Sequence, residues 1–240
     1  MRRAVALLTA VIVTCFAMVP AAGAKSAAML LPAELAHLQS SPVSGRQGWK
    51  LNETLTFGST RVFNVDRSLS RGNDLGILFY QGSKRRQTFG FSMVDGSGDV
   101  WRGAAATNLR RHALADSGIS IEVSNKSGFA AHLSPQDRPQ ELWVMELAEQ
   151  GEQPLKGSLR HNDVVYAVTG TNKLAGTRLP LEGTSGYVVA LDGEALAAVE
   201  VINNGAVWVA PHLSAEQRQP LLAAVSALLL FEDLRATLPD

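Results

Sequence analysis

Short apolar runs separated by turn residues follow one another from residue 49 to residue 210, and one longer apolar run lies near the end of the chain. The short runs are rich in β-branched and aromatic residues and are bounded by Gly, Asn, Asp or Pro, which is typical of β-strands. Before residue 171 we predict strands at Trp49–Phe57, Arg61–Ser68, Gly76–Tyr80, Gln87–Val94, Ile119–Ser124, Leu142–Leu147, Leu155–Arg160 and Val164–Gly170.

The pattern is most regular between residues 186 and 210. Two turn dipeptides, Asp-Gly and Asn-Gly, separate three apolar runs there, and both dipeptides favour the positive φ angles of two-residue hairpin turns. We therefore predict a three-stranded meander with strands at Gly186–Leu191, Glu194–Ile202 and Ala206–Ala210.

A helix is predicted to follow the meander. Ser214 and Gln217 have the spacing of a capping box, and Leu221–Phe231 is apolar on every face except at Ser226. A helix that is apolar all round has to be buried. Pro220 disfavours the helix interior, so we expect the main helix to begin there or a short turn to precede it.

These elements predict a mainly β (α+β) fold, an antiparallel β-barrel or sandwich with a buried hydrophobic C-terminal helix. Residues 49–240 form a single β-rich domain, with the helix at about 214–234. Residues 25–48 have little regular period and are predicted to be a flexible linker, with a short helix at Pro32–Leu38.

The meander followed by a capped apolar helix resembles the last elements of the tubby-like, LURP-one-related and phospholipid-scramblase superfamily. That resemblance covers roughly the last 55 residues and implies a closed antiparallel barrel around a hydrophobic C-terminal helix. Through the stretches GWKLNETLTFG, AAVEVINNGAVWV and ALLLFEDL, the chain as a whole also resembles exported bacterial proteins, which implies no activity.

The N-terminus has the three parts of a secretory signal peptide. Two arginines precede the apolar stretch Ala4–Val19, and Ala22-Gly23-Ala24 is a small-residue cleavage site. We predict a signal peptide over 1–24 and cleavage after Ala24, with export to the periplasm or the extracellular space and no transmembrane span after signal removal. The alternative is a lipoprotein anchored through Cys15, the single cysteine of the chain.

The charge of the chain is balanced, with 22 Lys and Arg against 22 Asp and Glu. A nucleic-acid-binding protein normally has a basic excess, so we expect no nucleic-acid partner. Two basic clusters nevertheless stand out, Lys84-Arg85-Arg86 and Arg110-Arg111. They predict contact with an anionic surface such as lipid headgroups, and the alternative is that they are solvated loop residues.

Neither metal, nucleotide nor nucleophile motifs occur in the sequence. The five histidines form no H-E-x-x-H pair, and G-x-S-x-G, P-loop and dinucleotide-binding patterns are missing, so no cofactor is expected. His161-Asn162-Asp163 is predicted to be a hairpin turn. Asp95-Gly96-Ser97-Gly98-Asp99 resembles the start of a calcium loop, but it lacks the later Glu and is predicted to be a hairpin tip before Val100-Trp101. Most of the four tryptophans are expected in the core.

The resulting hypothesis is an exported, non-enzymatic domain that binds an envelope component, namely an anionic lipid, a glycan or a partner protein. The first alternative is an envelope hydrolase whose site brings together distant residues, with His161 or His132 beside a carboxylate. The second alternative is the lipoprotein anchored through Cys15.

Overall fold

A computed structural model describes residues 27–46, 54–67, 88–107, 128–150 and 153–236. The predicted signal peptide, with Ala24 and Cys15, lies outside the described residues. So do the strands predicted at Gly76–Tyr80 and Ile119–Ser124.

Twelve strands in these residues form one antiparallel sheet that curves into a nearly closed barrel. They are β1 Ser41–Pro42, β2 Leu55–Phe57, β3 Thr60–Asp66, β4 Thr88–Val94, β5 Val100–Thr107, β6 Gly128–Pro135, β7 Trp143–Gln150, β8 Gln153–His161, β9 Val164–Thr171, β10 Gly186–Leu191, β11 Glu194–Glu200 and β12 Ala206–Val209. Each strand from β2 to β12 pairs with its neighbours in the chain, and β1 pairs with β12. The predicted mainly β fold is confirmed. Of the two predicted architectures, barrel and sandwich, the structure has the barrel.

The predicted strands that lie in the described residues are present with shifted ends, except that the first strand of the meander, β10, matches residue for residue. Asp192-Gly193 is a two-residue turn with φ values of 50° and 88°. The predicted Asn204-Gly205 turn is instead part of a longer connection over 201–205, in which Asn203 and Gly205 have the positive φ angles. Strands β1 and β6 were not predicted, and of β5 only Val100-Trp101 was expected, as the flank of a hairpin tip. Few residues of β6 are β-branched or aromatic, and β5 continues with Gly103 and three alanines.

Two helices are present in the described residues, α1 at Ala33–Ala36 and α2 at Ala215–Ala236. In α2, every residue from Leu221 to Phe231 is buried, so this part of the helix has no face toward solvent. It contacts β5 and β6 as well as β11, which are separated by several strands in the sheet. The helix therefore lies inside the barrel, and its side chains form the centre of the main hydrophobic core.

The predicted capping box starts α2. The Gln217 amide N–H donates to Ser214 Oγ at 3.3 Å, and the Ser214 amide N–H donates to Gln217 Oε1 at 3.2 Å. The break expected at Pro220 is wrong, since α2 runs through this residue without interruption. Pro220 costs the helix one backbone hydrogen bond near its start, and burial of the following apolar run outweighs that loss.

The N-terminal segment closes the barrel. Strand β1 pairs with β12, and two residues later Ser44 and Thr56 of β2 exchange backbone hydrogen bonds of 2.9 and 3.0 Å. Met29, Leu35 and Val43 are buried against the barrel. Residues 27–46 are thus part of the fold rather than the flexible linker predicted for 25–48. The short helix predicted at Pro32–Leu38 is confirmed as α1.

Because strands alternate in direction, the connections fall at two ends of the barrel. We call the end where α2 begins the helix-entry end, and it holds the turns at 58–59, 95–99, 136–142, 162–163 and 192–193. We call the opposite end the helix-exit end, and it receives the connections at 68–87, 108–127, 151–152, 172–185 and 201–205.

Candidate anion-binding end of the barrel

Charge is distributed unequally between the two ends of the barrel. The helix-entry turns contain six carboxylates and one arginine, at Asp95, Asp99, Asp137, Glu141, Asp163, Asp192 and Arg138. In sequence, the helix-exit connections contain nine Lys and Arg residues against five Asp and Glu residues. The described helix-entry turns are therefore acidic, whereas the amino-acid sequence of the segments that join the strands at the other end has a basic excess.

Both basic clusters predicted from the sequence, Lys84, Arg85, Arg86 and Arg110, Arg111, lie outside the described residues. The residues that flank their segments are described, and they lie together. Thr88 pairs with Ala106, and Thr107 pairs with Phe129, so four consecutive strands carry the four flanks at the helix-exit end. With neighbouring strands about 5 Å apart, the flanks span about 15 Å.

Two side chains at the helix-exit end contact the second half of α2. Arg67, which directly follows β3, donates a hydrogen bond of 3.2 Å from Nη1 to the carbonyl oxygen of Leu230. The hydroxyl of buried Tyr187 on β10 donates to Glu232 Oε1 at 2.5 Å. These contacts join the helix to the end of β3 and to β10, and of these two strands β3 leads into the segment that contains Lys84.

The β9–β10 connection at 172–185 is the longest described connection at the helix-exit end. Lys173 and Arg178 are exposed, and Leu179 is 77% exposed, the largest value among the exposed large apolar residues. The loop is held at its base, where the hydroxyl of Ser185 lies 3.0 Å from the carbonyl oxygens of Thr171 and Lys173. The loop presents an exposed apolar side chain next to Arg178, on a base that is held by hydrogen bonds.

His132, a residue of the hydrolase alternative, lies on the outside of the barrel in β6. Its burial lowers the pKa of the imidazole, and the negative charge of Glu146 on β7 opposes that effect only in part. Glu146 forms an ion pair with Arg160 on β8. In the part of the chain that the structure describes, no hydrogen bond is formed by the His132 ring, and Glu146 is the carboxylate whose charge acts on it.

His161 is a structural histidine in the β8–β9 hairpin, and its predicted turn is confirmed with Asn162 at φ 50°. Its Nδ1 lies 2.8 Å from the carbonyl oxygen of Leu142, which can only accept, so Nδ1 carries the proton. Its Nε2 then accepts from the Asn162 amide at 3.0 Å. The ring also stacks on Trp143 at 5.1 Å between centroids. Both nitrogens are thereby occupied.

The Asp95–Asp99 turn is a hairpin tip, as predicted, and it contacts the start of α2. Ser97 donates to Asp95 Oδ1 through its hydroxyl (2.6 Å) and its amide (2.8 Å), and Gln219 Nε2 donates to Ser97 Oγ at 2.8 Å. Burial alone would raise the pKa of Asp95, but the hydrogen bonds from Ser97 and Gln219 and the charge of Arg218 together lower it. The turn therefore binds the start of α2 to the β4–β5 hairpin.

Trp101 and Trp143 are buried in the main core, as expected, while Trp208 packs half-buried under the N-terminal segment. Trp49 lies outside the described residues. Among the residues that the structure describes, no three His, Cys, Asp or Glu side chains are grouped as metal ligands. Within the same residues, neither helix is long and apolar enough to cross a membrane.

Comparison with known proteins finds no family model, no curated protein and no solved structure that matches this chain. The resemblance to the tubby-like, LURP-one-related and phospholipid-scramblase superfamily stays a prediction.

Proposed function

We propose that this protein is an exported, non-enzymatic envelope domain that binds an anionic lipid surface with the helix-exit end of its barrel. The observation that carries the proposal is the pairing of β3 to β6, which brings the flanks of both basic segments to one end. Lys84, Arg85, Arg86, Arg110 and Arg111 are the proposed binding residues.

Both basic clusters are needed to hold the protein on an anionic membrane. Each basic residue near an anionic membrane contributes about 1 kcal/mol, so one cluster alone holds a protein weakly. The segments that contain the two clusters join β3 to β4 and β5 to β6, so both clusters are expected to act on the same lipid surface. The acidic turns at the opposite end are repelled by that surface, which orients the barrel with its helix-exit end toward the lipid.

The filled interior supports binding on the outside of the barrel rather than within it. Leu221–Phe231 occupies the space where many barrels hold a small ligand. Of the envelope components expected from the sequence, an anionic lipid fits the basic end most directly. If the protein does not bind lipid, the proposed ligand becomes a glycan or an acidic partner protein.

The test is vesicle flotation with residues 25–240, a chain that contains every described residue. We expect binding to vesicles of phosphatidylglycerol and phosphatidylcholine, weakening as salt is raised, and no binding to phosphatidylcholine alone. The double variant Arg110→Ala, Arg111→Ala should bind about 30-fold more weakly, since it removes two favourable charges.

A matched control removes the same charge from the other end. Arg102→Ala with Arg138→Ala deletes two exposed arginines at or beside the helix-entry turns. This variant should bind within about twofold of the unmodified chain, because those side chains face away from the lipid. Equal losses in the two double variants, or salt-insensitive binding to both vesicle types, would contradict the proposal.

A further inference from the structure

The β9–β10 connection has an unusual combination of order and exposure. Its backbone is held by hydrogen bonds from the Leu181 amide to the Asn172 carbonyl (2.8 Å) and from the Ser185 amide to the Thr171 carbonyl (2.7 Å). The Leu179 amide also donates to Thr177 Oγ1 at 3.1 Å. Leu179 is thus held in solvent by a structured loop, rather than exposed by fraying of a chain end.

A second exposed leucine lies beside this loop. Leu30 is 48% exposed, and its amide donates to the carbonyl oxygen of Lys173 at 3.0 Å. Met29 forms a β-bridge with Leu174, which fixes the N-terminal segment against the loop. The described residues include four exposed large apolar side chains, and two of them are found at this loop. Leu179 belongs to the loop, and Leu30 lies beside its base.

We infer that the 172–185 loop inserts Leu179 into the headgroup and acyl boundary of an anionic bilayer, with Lys173 and Arg178 contacting lipid phosphates. This inference rests on the proposed function and names the apolar contact that accompanies its electrostatic attraction. Interfacial membrane segments combine an exposed apolar residue with nearby cations, because apolar burial and phosphate contact add. The two cations of the loop outnumber its one carboxylate, Glu182.

The loop also differs in role from the basic clusters. Charge attraction acts over about a Debye length and is screened by salt, whereas apolar insertion is short-ranged and persists when salt is raised. Leu179 should consequently contribute most to the binding that remains at moderate salt. The clusters should contribute most at low salt.

The first test compares Leu179→Ser with Val165→Ser in flotation with phosphatidylglycerol-containing vesicles. Val165 is 51% exposed and lies on β9 near the helix-entry end, so its substitution is a matched loss of exposed apolar surface. We expect Leu179→Ser to weaken binding about five- to tenfold at moderate salt, and Val165→Ser to leave it unchanged. Neither residue is buried, so both variants should fold.

The second test places a fluorophore at the loop tip. Because Cys15 is the single cysteine, residues 25–240 contain none, and Leu179→Cys provides one labelling site. An environment-sensitive dye at residue 179 should shift its emission to shorter wavelength with anionic vesicles, and the same dye at Val165→Cys should not. If the chain binds anionic vesicles but neither the loss at Leu179 nor the shift occurs, the loop does not insert and the proposed function stands. If the chain binds no vesicles, both proposals are wrong.

Discussion

At the scale of single residues, His132 is the described histidine whose pKa the fold lowers. Burial disfavours the charged imidazole, while the negative charge of Glu146 on the adjoining strand β7 favours it. Glu146 forms an ion pair with Arg160 on β8, and Arg102 lies on β5, the other strand that adjoins β6. Since the unfolded chain then binds more protons than the folded one, unfolding free energy should fall as pH drops below about 6.5 and continue falling through the folded pKa.

His132→Gln should therefore reduce this loss of stability on acidification, because glutamine does not titrate. We expect the difference in urea unfolding free energy between pH 8 and pH 5 to be smaller in this variant than in the unmodified chain. His37→Gln, at an exposed histidine, is the control and should leave the difference unchanged. An equal pH dependence in His132→Gln and the unmodified chain would show that His132 is not the group responsible.

Residue-scale features were predictable where the signal is local. The positive φ of Asn162 and Asp192 follows from the turn preference of Asn and Asp, and both turns are confirmed. The stacking of His161 on Trp143 was not predictable, because it joins residues on different strands. Only the β7–β8 register brings these two rings together.

At the scale of elements, α2 is the part of the molecule on which the core depends. Leu228→Asp would place a carboxylate among apolar side chains of helix and barrel, at a cost of several kcal/mol. We expect loss of cooperative thermal unfolding, or a melting temperature lower by more than 10 °C, as about 4–8 °C accompanies each kcal/mol in a small domain and somewhat less in a larger one. Leu228→Met conserves volume and should change the melting temperature little. An unaltered melting temperature in Leu228→Asp would contradict burial of the helix.

The sequence predicted α2 and the meander because their signals lie within a few residues, as in the capping box of Ser214 and Gln217. Strand β6 was missed for the opposite reason. Its alanines and terminal proline have weak strand preference, and its conformation is set by pairing with β5 and β7. The N-terminal segment was mistaken for a linker because its partners, such as Leu174 for Met29, are far away in sequence.

At the scale of the whole molecule, the sequence identified the basic clusters but not the arrangement of the strands that flank them. Lys84–Arg86 and Arg110–Arg111 are more than twenty residues apart, and nothing local relates them. The flanking strand ends lie at one end of the barrel because strands alternate in direction and β3 to β6 pair in order. The apolar loop tip at Leu179 was not predicted, since exposure of a leucine depends on how the surrounding loop is held.

The closure of the barrel by residues 41–46 gives the last prediction. Without this segment, β12 and β2 would each present an unpaired edge, and unpaired edges template association with other chains. Deleting residues 25–46 should therefore give concentration-dependent oligomers in light scattering. Deleting residues 25–40 removes the buried contacts of Met29 and Leu35 but keeps the closing pairs, so this variant should unfold at lower temperature without forming these oligomers. If the longer deletion forms no more oligomers than the shorter one, the edges are covered by other means and residues 41–46 contribute packing alone.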